Sequence, residues 1–142
     1  MLQRKSFSLS LLSAASVAAL GLGLASGAHA QDKIRIGYTT DMSSVYSDID
    51  GKNGAIAIQM AIDDFGGKVL GKPIELLSAD HQNKADIAAS KVREWFDTQG
   101  VVAIIGGTNS GTALASAKVA EEKKKHYIQI GAGSSALTNE AC

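Results

Sequence analysis

Apolar residues recur along most of the chain with two alternating periods, which predict short strands separated by helices. Apolar segments of strand length alternate with segments whose apolar positions lie three and four residues apart. The predicted strands are residues 33–38, 74–79, 101–105 and 126–130, and the predicted helices are residues 51–65, 84–98 and 110–124. This βαβαβαβ order predicts an α/β fold, a three-layer open parallel sheet with right-handed crossovers and helices on both faces.

The spacing of apolar residues also predicts which side of each helix packs on the sheet. The expected inward residues are Ala55, Ile58, Ala61, Ile62 and Phe65 in the first helix, Ile87, Ala88, Val92, Trp95 and Phe96 in the second, and Ala113, Leu114, Ala117 and Ala120 in the third. Asn83 is expected to cap the second helix, with Asp86 returning the hydrogen bond. The unbroken apolar run 101–105 predicts a strand covered on both faces.

The first thirty residues differ in character from the rest. Arg4 and Lys5 precede a stretch made mostly of Leu, Ala, Val, Gly and Ser, which ends at Ala28-His29-Ala30. A basic start, an apolar middle and a small-residue exit are typical of a secretory signal peptide cleaved after Ala30. A membrane anchor is the weaker alternative, because Ser and Gly dilute the segment and no basic stop follows it. We therefore expect a signal peptide at 1–30 and one domain at 31–142.

Charge and cysteine usage narrow the class of partner. The 142 residues carry 14 Lys and Arg and 14 Asp and Glu, and Arg4 and Lys5 are the basic residues before residue 31. The remaining segment is therefore mildly acidic, which disfavours nucleic acid as a partner. The single cysteine, Cys142, has no second cysteine in this sequence with which to form a bridge.

Polar turns follow all four predicted strands. In an open α/β sheet, ligands bind beyond the carboxyl ends of the strands. The corresponding turns are residues 39–48, 80–83, 106–112 and 131–138. None contains Lys or Arg, and all but 80–83 are rich in hydroxyl groups or small residues. The sequence therefore predicts a ligand site built from neutral hydrogen-bond donors at one edge of the sheet.

Individual residues in these turns are candidates for contact with a carboxylate. Ser110, Ser134 and Ser135 lie where helices are expected to start, and free N–H groups at helix N-termini attract anions. Thr108 belongs to the same set, and Tyr46 is a candidate aromatic wall, together with Tyr38. Ser, Thr and Asn before a helix are also common caps, so a purely structural role remains the alternative for each.

The sequence gives little support for a catalytic site or a metal site. His81 beside Asp80 would need further ligands to hold a metal, and His126 is expected at the opposite edge of the sheet. The first strand-to-helix turn lacks G-x-G-x-x-G, and the looser match at 131–136 follows the fourth strand. Nucleophile-elbow, zinc-protease, C-x-x-C and P-loop patterns do not occur. We therefore expect no enzyme activity and no cofactor.

An ordered set of segments resembles the periplasmic solute-binding proteins of the branched-chain amino acid (Leu/Ile/Val) type. The matching segments are a signal peptide, Lys33-Ile34-Arg35-Ile36-Gly37, Met42-Ser43, Gly51 to Gly67, Leu70-Gly71-Lys72-Pro73, Asp80, Gly100 to Gly106, and Gly131-Ala132-Gly133-Ser134-Ser135 with Leu137-Thr138. The resemblance implies a type I periplasmic binding fold of two lobes, of which residues 31–142 would be an incomplete, truncated N-terminal lobe.

The resemblance also implies a function. Such a protein is the periplasmic solute-binding component of an ABC uptake transporter and delivers its solute to a membrane permease. In that family a Ser at the start of the third helix and the turn after the fourth strand hold the ligand carboxylate, which here implies Ser110, Ser134 and Ser135, with Tyr46 near the pocket. The expected solute is small and bears a carboxylate, such as an amino acid, amide or aromatic acid. The alternative is an extracellular ligand-sensing domain of a receptor or regulator with the same fold.

Overall fold

A computed structural model describes residues 33–140, so the proposed signal peptide and Cys142 lie outside the described residues. Its elements are β1 (Ile34–Thr40), α1 (Gly51–Asp64), β2 (Lys68–Val69), β3 (Lys72–Asp80), α2 (Ala85–Thr98), β4 (Val101–Gly106), α3 (Ser110–Lys123), β5 (His126–Gln129) and α4 (Ala136–Asn139). Every predicted strand and helix is confirmed with small shifts of its ends. The short strand β2 was not predicted, and α4 begins directly after Ser135, where a helix start was expected. Within residues 33–140, no helix is long and apolar enough to cross a membrane.

The sheet has the strand order β2-β3-β1-β4-β5. β3, β1, β4 and β5 run parallel, as predicted, but β2 pairs with β3 in the antiparallel sense. Leu70 and Gly71 adopt positive φ angles of 51° and 77°, which turns the chain back within two residues. The sheet is therefore mostly parallel, as expected, and a tight hairpin at one edge makes it mixed.

Two adjacent residues of β1 show that helices cover both faces of the sheet. A β-carbon on Gly37 would lie 2.5 Å from Cε3 of Trp95, so this position faces α2. Tyr38 points the opposite way, and its hydroxyl donates to the carbonyl oxygen of Asp50 at 2.8 Å, just before α1. Successive strand residues point to opposite faces, so the three-layer prediction is confirmed.

The principal core lies between the sheet and the α2–α3 layer. It consists of Val92, Trp95, Phe96, Val101, Ile104, Val119 and Ala120. The predicted inner face of α2 is confirmed by buried Ala88, Val92, Trp95 and Phe96. In α3 the buried residues include Thr112, Ser116 and Val119 as well as the predicted Ala113 and Ala120.

The predicted inner face of α1 was partly wrong. Ile62 is buried, but Ala61 is exposed and Phe65 is 67% exposed. The helix ends at Asp64, and Gly66 and Gly67 then take positive φ angles, which turn the chain into β2 at the edge of the sheet.

The α1 side of the sheet is covered less completely than the other side. Ile105 lies between Tyr38 and Ile128 in the parallel register, so all three face α1. Ile128 and, two residues on, Ile130 are each more than half exposed. β4 is an internal strand, but Val102 is 38% exposed, so the prediction of cover on both faces was wrong there.

The predicted cap of α2 was also wrong. The helix begins at Ala85, its N-cap is Lys84, and no side chain caps it. Asn83 has a φ of 57° and donates its backbone N–H to Nδ1 of His81 at 3.1 Å. Because Asn tolerates the left-handed region, this residue serves the turn instead of the helix.

Candidate functional site

The turns after the four parallel strands meet at one edge of the sheet. The backbone N–H of Gly107, after β4, donates to Thr39 of β1 at 3.0 Å. The N–H of His81, after β3, donates to Thr40 at 2.9 Å, and that of Ile130, after β5, donates to Gly106 at 3.2 Å. The convergence of polar turns expected from the sequence is therefore present in the fold.

Ser110 is the first residue of α3, and its neighbour performs the capping. The side chain of Asn109 accepts a hydrogen bond from the N–H of Thr112 at 2.8 Å. Within residues 33–140 the hydroxyl of Ser110 makes no hydrogen bond, and the residue is only partly buried. Asn109, and not Ser110, therefore caps α3. The Ser110 hydroxyl is left available at the N-terminus of this 14-residue helix.

Thr108 brings the turns after β4 and β5 together. Its Oγ1 lies 3.0 Å from the position that a β-carbon on Gly131 would occupy, so the two turns are in contact. The Oγ of Ser134 accepts from the N–H of Ala136 at 3.3 Å, which is a local turn contact, whereas Ser135 makes no side-chain cap. No hydrogen bond in the described part of the chain joins Ser110 to either serine.

Tyr46 lies in the loop between β1 and α1, residues 41–50, which we call the anchored loop. Asp41 holds this loop: its carboxylate accepts from the N–H of Ser44 at 2.8 Å, from its hydroxyl at 2.5 Å and from the N–H of Tyr46 at 2.9 Å. Burial opposes ionisation of Asp41, but these hydrogen bonds outweigh it and lower the pKa of the carboxyl. The ionised carboxylate thus fixes the backbone beside Tyr46.

Asp80, at the end of β3, is a second anchor for the same loop. Its Oδ1 accepts from the N–H of Met42 at 3.0 Å and from the N–H of Gln82 at 2.7 Å. Sequence reasoning missed the anchoring roles of Asp41 and Asp80. An Asp followed closely by serines at a strand end is the available signal, because Asp side chains accept from backbone N–H groups two or three residues ahead.

The other end of the anchored loop joins the turn after β4. Oδ1 of Asp50 accepts from the hydroxyl of Thr40 at 2.9 Å, and a β-carbon on Gly107 would lie 2.6 Å from Oδ2 of Asp50. Only glycine permits this approach. Tyr38 is fully buried beneath Asp50, so its expected part in an aromatic wall was wrong.

A short chain of side chains supports Gly107 from the β5 side. The hydroxyl of Tyr127 donates to Oε1 of Gln129 at 2.7 Å, and Nε2 of Gln129 donates to the carbonyl oxygen of Gly107 at 2.6 Å. The position of the glycine turn that leads into Ser110 is therefore set from both neighbouring strands.

His81 is buried at this edge, with 2% of its surface exposed. Burial lowers the pKa of the imidazole, although Asp41, Asp80 and Asp50 act in the opposite direction. The described residues contain no group of three or more His, Cys, Asp or Glu arranged to hold a metal ion.

Two cavities, of about 400 and 380 Å³, lie beside α3 and α4. Both include Glu121 and Glu140, and the larger one also borders Tyr127. Neither is lined by Ser110, Ser134, Ser135, Thr108 or Tyr46.

Comparison with known proteins places the chain among binding proteins. Residues 33–142 match the family described as periplasmic binding protein. A crystal structure of a periplasmic binding protein from Burkholderia mallei is 64% identical with a TM-score of 0.77, covering 78% of this chain and 30% of that one. No curated protein sequence matches.

Two further structures extend the comparison. A branched-chain amino acid ABC transporter periplasmic ligand-binding protein from Burkholderia xenovorans LB400 is 47% identical, with a TM-score of 0.74 and coverage of 78% and 29%. A solute-binding protein of an ABC transporter from Rhodopseudomonas palustris BisB5, in complex with 3,4-dihydroxybenzoic acid, is 27% identical, with a TM-score of 0.66 and coverage of 75% and 29%. The chain thus spans less than a third of the length of these relatives.

Proposed function

This chain belongs to the periplasmic binding protein family, and from that membership we propose that it forms the N-terminal lobe of the solute-binding component of an ABC uptake transporter. Its role is capture and delivery to a membrane permease, not catalysis. The single observation that carries the proposal is the free hydroxyl of Ser110 at the start of α3, on the edge where the four strand ends meet.

We propose that the solute is small and carries a carboxylate. The turns after the four parallel strands contain no Lys or Arg, and their carboxylates Asp41, Asp50 and Asp80 accept hydrogen bonds within the turns, so the donors at this edge are hydroxyl and amide groups. Such donors suit an anion at the N-terminus of a helix. Two relatives support this class: one is named for branched-chain amino acids, and the other is in complex with an aromatic acid.

The proposed mechanism needs a second lobe. Hydrogen bonds to a charged group contribute about 1.5–3 kcal/mol each, and ordering a ligand costs about 4 kcal/mol or more. Ser110, Ser134, Ser135 and Thr108 on one lobe therefore give weak binding. Closure of a second lobe supplies further contacts and excludes water. We propose that Tyr46, which lies on the anchored loop, lines the same opening.

The effect of Ser110→Ala on affinity tests this function. In a complete two-lobe protein that contains this chain, a thermal-shift screen with isoleucine, benzoate and 3,4-dihydroxybenzoate identifies a probe for calorimetry. We expect Ser110→Ala to weaken binding by about 1–3 kcal/mol, because a hydrogen bond to the carboxylate is lost. The melting temperature should stay unchanged, since Asn109 retains the cap.

Ser90→Ala provides the matched control, because Ser90 is exposed on α2, away from the strand ends. Equal losses of affinity and stability in Ser110→Ala would indicate a structural role for Ser110. Tight binding by residues 31–142 alone would contradict the two-lobe mechanism.

We propose that residues 1–30 direct export to the periplasm and are removed there. The pattern from Arg4 to Ala30 supports this proposal. We expect protein recovered from the periplasm to begin at Gln31, as measured by intact mass spectrometry. Recovery of unprocessed chain in the membrane fraction would contradict it.

A further inference from the structure

His81 is fixed between the end of β1 and the start of α2. Its backbone N–H donates to Thr40 at 2.9 Å, and its carbonyl oxygen accepts from the N–H of Lys84 at 2.8 Å. The ring is just as constrained, because Nδ1 accepts from the N–H of Asn83 at 3.1 Å. The neutral ring therefore carries its proton on Nε2, and within residues 33–140 this atom is buried without a hydrogen-bond partner.

Three carboxylates act on the ring electrostatically: Asp41 and Asp50 from the two ends of the anchored loop, and Asp80 from the end of β3. On the α2 side the neighbouring charge, Lys84, is exposed. Burial holds the pKa of His81 below its usual value in spite of the three carboxylates, so the folded arrangement favours the neutral imidazole.

Proton uptake is incompatible with the contacts of this arrangement. A proton on Nδ1 removes the acceptor for the N–H of Asn83 and creates a buried cation, which is costly unless a carboxylate pairs with it. Two of these carboxylates are already engaged: Asp41 with Ser44 and Tyr46, and Asp80 with Met42 and Gln82. Either carboxylate would have to give up anchoring bonds to pair with the imidazolium. Asp50 accepts from Thr40 through Oδ1, its Oδ2 is buried without a hydrogen-bond partner, and within residues 33–140 no ion pair joins it to the ring.

The turn that contains His81 is itself held in an unfavourable conformation. Gln82 and Asn83 have φ angles of 52° and 57°, a region that Asn tolerates but that Gln seldom adopts. The bond from the N–H of Asn83 to the neutral ring stabilises this turn. Loss of that bond therefore favours a rearrangement of the turn and of the loop that Asp80 ties to it.

We propose that His81 is a positioning residue for the anchored loop and that proton uptake by its ring releases this loop. The consequence for solute capture rests on the proposed function, since it requires Tyr46 in the loop to line the solute site. Because the solute is then held with the loop in place, its affinity decreases as the pH falls. By the same linkage, solute binding releases the proton from His81.

The direction of the pH dependence follows from proton linkage. In an open loop His81 is exposed and takes up a proton below its ordinary pKa, about 6.5, whereas the closed arrangement excludes that proton. The open fraction therefore rises as the pH falls below that value, by at most about tenfold per pH unit for one linked proton.

Nuclear magnetic resonance on the full chain tests this role without any solute. The ring signal of His81 and the exchange protection factors of the Ser44 and Tyr46 amides are followed from about pH 7.5 to about pH 5.5. We expect these protection factors to fall by up to about tenfold per pH unit below the ordinary histidine pKa, while that of Ile104 in β4 stays constant.

Two variants complete the test. His81→Asn retains a side-chain oxygen as an acceptor but gains no proton, so the loop amides should show flat protection factors. His126→Asn, at an exposed histidine, should behave as the unmodified chain does. Persistence of the pH response in His81→Asn would overturn the proposal, and so would an equal fall at Ile104, which indicates global unfolding.

If His81→Asn does not fold, the unmodified chain decides the matter. Titration of the ring without any change at Ser44 and Tyr46 overturns the proposal, and a joint change supports it. A failed solute screen bears on the proposed function alone, because none of these measurements contains solute.

Discussion

Replacing Trp95 with alanine is expected to lower the free energy of unfolding by about 3–5 kcal/mol. The indole is 4% exposed and packs in the core formed by α2, α3 and β4. Gly37 provides room for it on β1, since a β-carbon there would lie 2.5 Å from the ring. The structure around a truncated core side chain relaxes only in part, so the variant retains a cavity.

Urea denaturation followed by far-ultraviolet circular dichroism measures this change, because Trp95 is the sole tryptophan and its fluorescence is lost with it. Phe65→Ala is the control: Phe65 is 67% exposed, and its removal should change stability by less than about 0.5 kcal/mol. Similar losses in both variants would show that the α2 layer is not the principal core.

Asp41→Ala is expected to cost about 1.5–3 kcal/mol, the contribution of a hydrogen bond to a charged acceptor. The carboxylate accepts from Ser43, Ser44 and Tyr46, and water replaces only part of these bonds. Asp41→Asn should be intermediate, because its oxygen can still accept from Ser43 and Ser44. On the proposed role of Tyr46 at the solute site, both changes should also weaken solute binding by a two-lobe protein that contains this chain.

The stability contributed by Asp41 also depends on pH in a defined direction. Its folded pKa lies below the ordinary value of 3.8, so the unfolded chain takes up the proton first. The contribution is complete above that value and is lost as the pH falls through the folded pKa, well below the range in which His81 acts. Asp48→Ala, in the same loop but exposed, should leave stability and its acid dependence unchanged.

The fold was predictable because the hydrophobic pattern agreed with local stop signals. The helix from Ala85 to Thr98 shows this well: its apolar spacing predicted burial of Val92, Trp95 and Phe96, and Gly100 follows its end. The pattern failed where backbone conformation decided the outcome. Leu70 and Gly71 in the left-handed region made the β2–β3 hairpin, and nothing in the apolar spacing indicates a strand of two residues.

The position of the candidate site was predictable from the sequence, but the hydrogen bonds that hold its loops were not. Parallel strands place their following turns at one edge, so the location of Ser110 and Thr108 followed from the element order. The capping of α3 by Asn109 and the anchoring of the loop by Asp41 depend on local turn geometry. Several neighbouring residues could play each role, and a single sequence does not distinguish between them. A buried polar atom such as Nε2 of His81 can be identified only when the strand order is known, because that order determines which turns are adjacent.

The two edges of the sheet differ in how readily another polypeptide chain can add to them. At one edge β2 is only two residues long, carries Lys68 and ends in a tight turn, all of which discourage strand addition. At the other edge, among residues 33–140, β5 has no outer partner, and Ile128 and Ile130 stand exposed beside it. Aggregation of this lobe would accordingly begin at β5. A chain segment that pairs with β5 would cover this edge and so prevent misassembly there.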